Sequence, residues 1–169
     1  KVVDKSSNQN PVGLHNKGNT CYANSILQAL RTVPSLWCQA SSEGSDTSPL
    51  CKSLTLTMSS IEKAKVTFDP SRFLRSLQGH VSAQDSLFDF NAQQDAASIL
   101  GIVLEELKGC SIIADENFSI SCQSSIICSE CSFDFNTEEK LDMLPLQPCK
   151  NTQASLGKYL EVELLDGPN

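Results

Sequence analysis

The feature that most constrains this chain is a junction between a loop and a helix at one cysteine. Residues 13–20 contain two glycines and two asparagines, a composition that predicts a turn-rich loop. Apolar residues at helical spacing follow at once and predict a helix from about Cys21 to Val33, which Pro34 ends. Cys21 is therefore predicted to lie in the first turn of that helix.

A cysteine in this position is a candidate nucleophile. Asn19 or Thr20 is the predicted N-cap residue. Unpaired N–H groups and the positive end of the helix dipole favour a thiolate at Cys21. The same N–H groups can stabilise an oxyanion, as acyl-transfer chemistry requires. The alternative is a buried, inert cysteine, because free cysteines are among the most buried residues.

The run from Gly13 to Leu30 resembles, without a gap, the cysteine box of the ubiquitin-specific proteases, which are papain-like cysteine peptidases. The resemblance implies that Cys21 is the nucleophile that attacks the carbonyl group at the ubiquitin C-terminus. It also implies that Asn16 is an oxyanion-hole donor, with the backbone N–H of Cys21 as a second donor. Three further motif positions that shape the site and pack the helix are matched by Tyr22, Asn24 and Gln28.

Helical patterns continue through the first two-thirds of the chain. Asp69 as the cap and Pro70 at the first helical position predict a helix that ends at Gly79. Another helix is predicted over about 93–108, with Gly109 as its C-terminal stop. Between the first helix and these two, one apolar face of a further helix is marked by Leu50, Leu54, Met58 and Ile61.

Beyond Cys110 the pattern changes from helical spacing to alternation. Residues 118–122 and 132–136 alternate apolar and polar side chains and predict strands, and residues 152–162 predict a short helix. By its composition, the segment 39–49 is predicted to be a surface loop. The sequence therefore predicts an α+β fold in which helices precede β-structure.

This order of elements resembles the helical thumb of the same family, followed by the start of its strand-rich zinc fingers region. The resemblance implies a leader at 1–12, a thumb with the cysteine box at 13–117, and an incomplete fingers subdomain at 118–169. It implies an α+β, papain-like cysteine protease whose palm is missing from this chain. The palm would then come from a second polypeptide or a missing segment.

The segment Gln93–Ala96 resembles the second recognisable box of the family. The resemblance implies that Asp95 helps to hold the basic, extended ubiquitin tail, with Gln93 and Gln94 near it, because a carboxylate can bind an arginine with both oxygens. The alternative is a capped helix start with no role in binding. The chain departs from the family at 97–98, where alanine and serine replace a frequent His-Glu pair, so selectivity for ubiquitin is in question.

Cys128 and Cys131 form a CxxC pair, which can place two thiolates on one metal ion. Their surroundings resemble the first zinc knuckle of the fingers, which implies structural Zn²⁺ with two of its four ligands in this chain. A redox pair or two idle thiols are the alternatives. Cys122 and Cys149 are the other candidates to complete the shell, although neither is spaced as a second knuckle.

The chain contains two histidines, His15 and His80. A thiol protease needs a histidine base and a group that orients it. His15 lies where the family is variable, and His80 follows Gly79 in a predicted loop, where a surface or interface histidine is expected. The base and its orienting residue are therefore expected from the missing half.

Composition excludes several classes of partner. A net charge of −7 and the lack of a Lys/Arg cluster argue against nucleic acid. No apolar run approaches the roughly 18 residues that span a bilayer, so no membrane partner is expected. The eight cysteines are irregularly spaced, which favours free thiols and a metal site over a disulfide scaffold. A cytoplasmic or nuclear location is expected.

The function predicted from these residues and this resemblance is a thiol-dependent deubiquitinating hydrolase that cleaves isopeptide bonds at the ubiquitin C-terminus. Its expected partners are ubiquitin or a ubiquitin-like protein and, as often in the family, an activating protein. Two other classes stay open: a pseudoprotease that holds ubiquitin without cutting it, and a zinc-dependent interaction domain with no ubiquitin role.

Overall fold

The computed structural model describes residues 12–38, 47–84, 89–90, 92–110 and 116–165. The described residues form two compact units, one that ends at Phe118 and one that begins at Ser119. The assignment of these units to thumb and fingers stays a prediction. None of the helices in the described ranges combines the length and the apolar character that spanning a bilayer requires.

The first unit is helical. Its elements are α1 (Cys21–Arg31), α2 (Pro34–Cys38), α3 (Pro49–Lys63), α4 (Ser71–Gln84) and α5 (Ala96–Cys110). In this unit α3 packs against α2, α4 and α5, and α1 packs against α5 and α2. The N-terminus of α3 follows common capping chemistry, since the Ser48 hydroxyl accepts a hydrogen bond from the N–H of Cys51 and proline occupies the first turn.

One hydrophobic core fills this unit, and the predicted apolar faces form it. The four residues predicted to face inward from α3 are buried to 1% exposure or less. Val12, the last residue of the predicted leader, is also buried in this core. Residues 1–11 of that leader and residues 39–46 of the predicted surface loop lie outside the described residues. The largest fully buried side chains are Phe73, Leu27, Leu36, Leu50, Leu54, Met58, Ile61, Leu77, Ile99, Leu104, Leu107 and Val103.

Two predicted helix ends were wrong. Helix α4 does not end at Gly79 but continues through His80 to Gln84. A glycine inside a helix costs about 1 kcal/mol, whereas burying a valine contributes about 1.5–3 kcal/mol. Burial of Val81 in the core therefore outweighs the glycine. Helix α5 likewise runs through Gly109 to Cys110, which packs against the same core.

The loop before α1 is attached to the segment before α4 by a short parallel bridge. Leu14 pairs with Phe68, the N–H of His15 donates to the Phe68 carbonyl at 2.9 Å, and the N–H of Phe68 donates to the Gly13 carbonyl at 2.9 Å. Gly18 turns the loop with a φ of 101°, a conformation that favours glycine. The loop that precedes Cys21 thus has a fixed path.

The second unit consists of an antiparallel hairpin and a helix. Strands β1 (Ile120–Ile127) and β2 (Asp134–Leu141) pair along their whole length, and α6 (Thr152–Tyr159) follows. Both strands were predicted, although each lies two residues or more further along the chain than the alternation indicated. Within the described residues the strands pair only with each other, and most of their side chains are exposed.

Candidate active site

Cys21 is the first residue of α1, and it is exposed. Thr20, one of the two predicted cap residues, occupies the N-cap position but makes no side-chain cap hydrogen bond. The first hydrogen bond of the helix joins the N–H of Asn24 to the Thr20 carbonyl. The earlier N–H groups, including that of Cys21, have no acceptor within the helix and lie where they can bind an anion.

The Thr20 side chain turns back instead to orient Asn16. The Asn16 Oδ1 accepts hydrogen bonds from the Thr20 hydroxyl at 3.0 Å and from the Thr20 N–H at 3.3 Å. Because a backbone N–H can only donate, it identifies the atom that faces it as oxygen. The NH₂ group of Asn16 makes no hydrogen bond to the described residues and stays available as a donor.

Further hydrogen bonds hold the loop from both sides. The Thr20 hydroxyl accepts from the N–H of Lys17 at 3.0 Å. The Asn24 amide donates to the His15 carbonyl at 3.2 Å, and the Gln28 amide donates to the Val12 carbonyl at 2.7 Å. Two motif residues on α1 therefore fix the loop that carries Asn16.

An ion pair adds a third anchor, which the sequence did not indicate. The Lys17 Nζ lies 2.7 Å from the Asp69 Oδ2, just before α4. The Asp69 carboxylate also accepts from the N–H of Ser71 at 2.9 Å, as the predicted cap should, although α4 begins one residue after Pro70. Hydrogen bonds from Lys17 first, and then from Ser71, hold the pKa of the Asp69 carboxyl well below its usual range.

The segment 93–95 reaches the cysteine through its first residue. The Gln93 Nε2 lies 3.6 Å from the Cys21 Sγ. Sequence reasoning missed this contact, since nothing in the local pattern relates the two residues. The Gln94 amide donates instead to the Asp89 carbonyl at 2.6 Å.

Asp95 caps α5, which begins at Ala96 rather than at Gln93. Its carboxylate accepts from the Ser98 hydroxyl at 2.8 Å, from the Ser98 N–H at 3.0 Å and from the Ala97 N–H at 3.3 Å. Hydrogen bonds from Ser98 and then from Ala97 lower the pKa of the Asp95 carboxyl. Ser98, one of the two residues at which the chain departs from the family pattern, thus donates its hydroxyl group to the capping carboxylate of Asp95.

Two polar atoms next to the cysteine are buried without a partner among the described residues. They are the hydroxyl of Tyr22 and the Oδ1 of Asn24. Burial first, and then the charge of Cys21, raises the pKa of the Tyr22 phenol. Buried polar atoms normally have a partner, so these two are exceptions among the described residues.

The described contacts do not bring either histidine to the Cys21 sulfur. His80 lies within α4 rather than in a loop, and its Nε2 is 3.7 Å from the Glu106 Oε1 of α5. The prediction that His80 lies in a loop was wrong because α4 continues past Gly79. In sequence, His80 stands between the buried Leu77 and Val81 of that helix. His15 is exposed.

Cys128 and Cys131 lie together in the turn between β1 and β2, and both are exposed. The turn is closed by hydrogen bonds from the Cys128 N–H to the Phe133 carbonyl and from the Ser132 N–H to the Cys128 carbonyl. Hydrogen bonds to the Cys128 sulfur, from the N–H groups of Cys131 and Glu130 and then from the Cys131 thiol, lower the pKa of the Cys128 thiol. The described residues contain no group of three or more side chains that could hold a metal ion.

Several known proteins are similar to this chain. Ubiquitin carboxyl-terminal hydrolase 26 of Oryza sativa subsp. japonica is 29% identical over 183 residues, which cover 98% of this chain and 16% of that protein. Ubiquitin carboxyl-terminal hydrolase 6 of Schizosaccharomyces pombe is 30% identical over 165 residues, 93% of this chain and 34% of that protein. Ubiquitin carboxyl-terminal hydrolase 29 of Homo sapiens is 33% identical over 111 residues, 63% of this chain and 12% of that protein.

A helical unit with an exposed cysteine at a helix start, together with a small antiparallel sheet, fits the papain-like class of cysteine peptidases. The family model that describes ubiquitin carboxyl-terminal hydrolases matches residues 12–156. The chain therefore belongs to the ubiquitin-specific proteases, a family of ubiquitin carboxyl-terminal hydrolases.

Proposed function

We propose that this chain carries the nucleophile of a thiol-dependent deubiquitinating hydrolase, which cleaves isopeptide bonds at the C-terminus of ubiquitin. The observation that carries the proposal is the pairing of an exposed Cys21 at the start of α1 with an Asn16 whose side-chain oxygen accepts hydrogen bonds from Thr20. Because that oxygen is already engaged, the NH₂ group of Asn16 is the part of its amide left to meet a negative charge. The similar proteins are ubiquitin carboxyl-terminal hydrolases by name, which adds support.

In the proposed reaction the Cys21 thiolate attacks the carbonyl carbon that joins ubiquitin to its target. A C–S bond forms, and the π electron pair of the carbonyl moves to its oxygen. The NH₂ group of Asn16 and the N–H of Cys21 stabilise this oxyanion. The oxyanion then collapses, the C–N bond breaks, and the amine leaves with a proton from the protonated general base. Water hydrolyses the thioester of the acyl-enzyme, which breaks the C–S bond and regenerates Cys21.

The general base is proposed to be a histidine outside these 169 residues. His80 faces Glu106 across a helix pair, which is a structural contact. We also propose an activating protein as a partner of the enzyme.

The segment 93–95 is proposed to line the path of the ubiquitin tail. Asp95 supports this role because its carboxylate is exposed and ionised, although it also caps α5. A carboxylate offers about four acceptor positions, so the three hydrogen bonds from Ala97 and Ser98 leave room for an arginine. Gln93 and Gln94 lie next to it in the chain.

Structural Zn²⁺ is proposed at the turn between β1 and β2. Cys128 and Cys131 fit such a site because N–H groups point at the Cys128 sulfur and favour its thiolate, the form that binds zinc. These residues would supply two of four ligands, and the other two would come from outside the described chain. Bound zinc would hold the hairpin and would take no part in hydrolysis.

The proposal is tested on the full-length protein with ubiquitin that bears an electrophilic C-terminus. Intact mass spectrometry should show one ubiquitin adduct, peptide mapping should place it on Cys21, and Cys21→Ala should abolish it. Cys149→Ala is the matched control, because that cysteine is also exposed. Ubiquitin binding without an adduct would favour a pseudoprotease, and an adduct only with another modifier would replace ubiquitin as the substrate.

A further inference from the structure

We propose that Gln93 donates a hydrogen bond to the Cys21 sulfur and stabilises it as the thiolate before attack. The Gln93 Nε2 and the Cys21 Sγ are 3.6 Å apart, an ordinary separation for a nitrogen donor and a sulfur acceptor. The inference rests on the proposed function, in which Cys21 is the nucleophile. It assigns Gln93 to the reacting sulfur in addition to the ubiquitin tail.

The protein holds Gln93 in place through its neighbours. On its C-terminal side, the Gln94 amide donates to the Asp89 carbonyl at 2.6 Å, and Asp95 is fixed by its hydrogen bonds to Ser98. The helix that follows, α5, packs directly against α1, whose first residue is Cys21. Gln93 therefore reaches the sulfur from a segment tied to the same helix pair.

Donor chemistry explains why this contact favours the charged sulfur. A thiolate can only accept hydrogen bonds, so it selects the NH₂ end of the amide, whereas a neutral thiol makes only a weak hydrogen bond. Hydrogen bonds to an ionised acceptor are about twice as strong as those between neutral groups. The amide of Gln93 consequently stabilises the thiolate more than the thiol.

The side-chain amides of Gln93 and Asn16 therefore act at different stages of the proposed reaction. Before attack, the negative charge lies on the Cys21 sulfur and faces Gln93. When the C–S bond forms, the charge passes to the carbonyl oxygen, where Asn16 and the N–H of Cys21 receive it. Gln93 acts on the ground-state nucleophile, and Asn16 acts on the tetrahedral intermediate.

The experiment measures how fast iodoacetamide alkylates Cys21 in the full-length protein, as a function of pH. Peptide mass spectrometry follows the Cys21 peptide alone, because Cys128, Cys131 and Cys149 are also exposed. The variants are Gln93→Met, which keeps the size but has no N–H, and Gln93→Ala. Gln78→Ala is the control, since Gln78 is an exposed glutamine on α4.

In both Gln93 variants the midpoint of the rate profile should move up by about 0.5–1 pH unit. A less stabilised thiolate is more nucleophilic, so the limiting rate at high pH should rise about 1.5- to 3-fold, while the rate at pH 7 falls about two- to fourfold. This crossing of the profiles separates a hydrogen bond from a change in access, which would scale the rate equally at every pH.

The inference is overturned if the midpoint stays where it is in the wild type, or if Gln78→Ala moves it equally. Labelling by the electrophilic ubiquitin separates this failure from failure of the proposed function. A wild-type protein that labels at Cys21, together with Gln93 variants of unchanged midpoint, leaves the hydrolase intact and removes only the role of Gln93. Absence of labelling in the wild type argues against the hydrolase itself.

Discussion

The thiol of Cys51 donates a hydrogen bond to the carbonyl oxygen of Glu106 across 3.2 Å and so joins α3 to α5. Cys51 is 1% exposed. Burial, followed by a hydrogen bond with Cys110, raises the pKa of the Cys51 thiol from 9.0 to about 12. The folded protein thus holds this sulfur in its neutral form.

The raised pKa of Cys51 makes the free energy of unfolding depend on pH in alkaline solution. A folded-state pKa above the unfolded value contributes stability that is complete below about pH 9 and is lost as the pH rises towards 12. We therefore expect the difference in urea midpoint between the wild type and Cys51→Ala to shrink over this window. A difference that stays constant from pH 8 to pH 11 would contradict the prediction.

The ion pair of Lys17 and Asp69 predicts sensitivity at the opposite end of the pH scale. The pKa of Asp69 is lowered in the folded protein, so its contribution is present above the unfolded value of about 4 and is lost as the pH falls. The wild type should melt above Asp69→Asn at pH 7, and the two melting temperatures should converge below about pH 4. Lys17→Met should show the same convergence, and a gap that widens in acid would refute the assignment.

Tyr22→Phe should raise the melting temperature by about 2–4 °C. The Tyr22 hydroxyl is buried without a partner among the described residues. Leaving such a group unpaired costs at least about 1 kcal/mol, which corresponds to about 2–4 °C for a chain of this size. Tyr159→Phe is the control, because Tyr159 is 37% exposed and its hydroxyl can reach water. A lower melting temperature for Tyr22→Phe would show that its hydroxyl has a partner beyond the described residues.

Asn16→Ala should lower kcat by about 100- to 1,000-fold, the usual effect of removing one oxyanion donor. Asn16→Asp separates donation from loop structure, since a carboxylate can still accept from the hydroxyl and the N–H of Thr20 but has no N–H. Both variants should lose kcat with little change in KM, measured with ubiquitin carrying a fluorogenic C-terminal amide. An Asn16→Asp variant that keeps wild-type kcat would remove Asn16 from the oxyanion hole.

Cys128→Ser and Cys131→Ser should each lose the zinc that the full-length protein is proposed to bind. Replacing either thiolate removes one of the four ligands that a structural zinc ion needs, at an exposed site. Elemental analysis after dialysis against a mild chelator measures the loss. Ser129→Ala serves as the control, because it changes the same exposed turn and removes no sulfur. Zinc that persists in both cysteine variants, or is absent from the wild type, would contradict the site.

Local pattern predicted much of this fold, and tertiary contacts account for what it missed. The apolar spacing of α3 was predictable because burial in the core imposes it. The extension of α4 past Gly79 could not be predicted from local pattern, because it is stabilised by burial of Val81 in the assembled core. The contact of Gln93 with Cys21 and the bridge of Leu14 to Phe68 join residues far apart in sequence, so no window of sequence contains them.

The bridge between Leu14 and Phe68 also sets an order of events during folding. In sequence the two residues stand on opposite sides of α1, α2 and α3, so their pairing closes a long loop and carries its entropic cost. Contacts of this kind form slowly, after local helices. We therefore expect the loop that carries Asn16 to acquire its shape late, after the three helices between Leu14 and Phe68 have assembled.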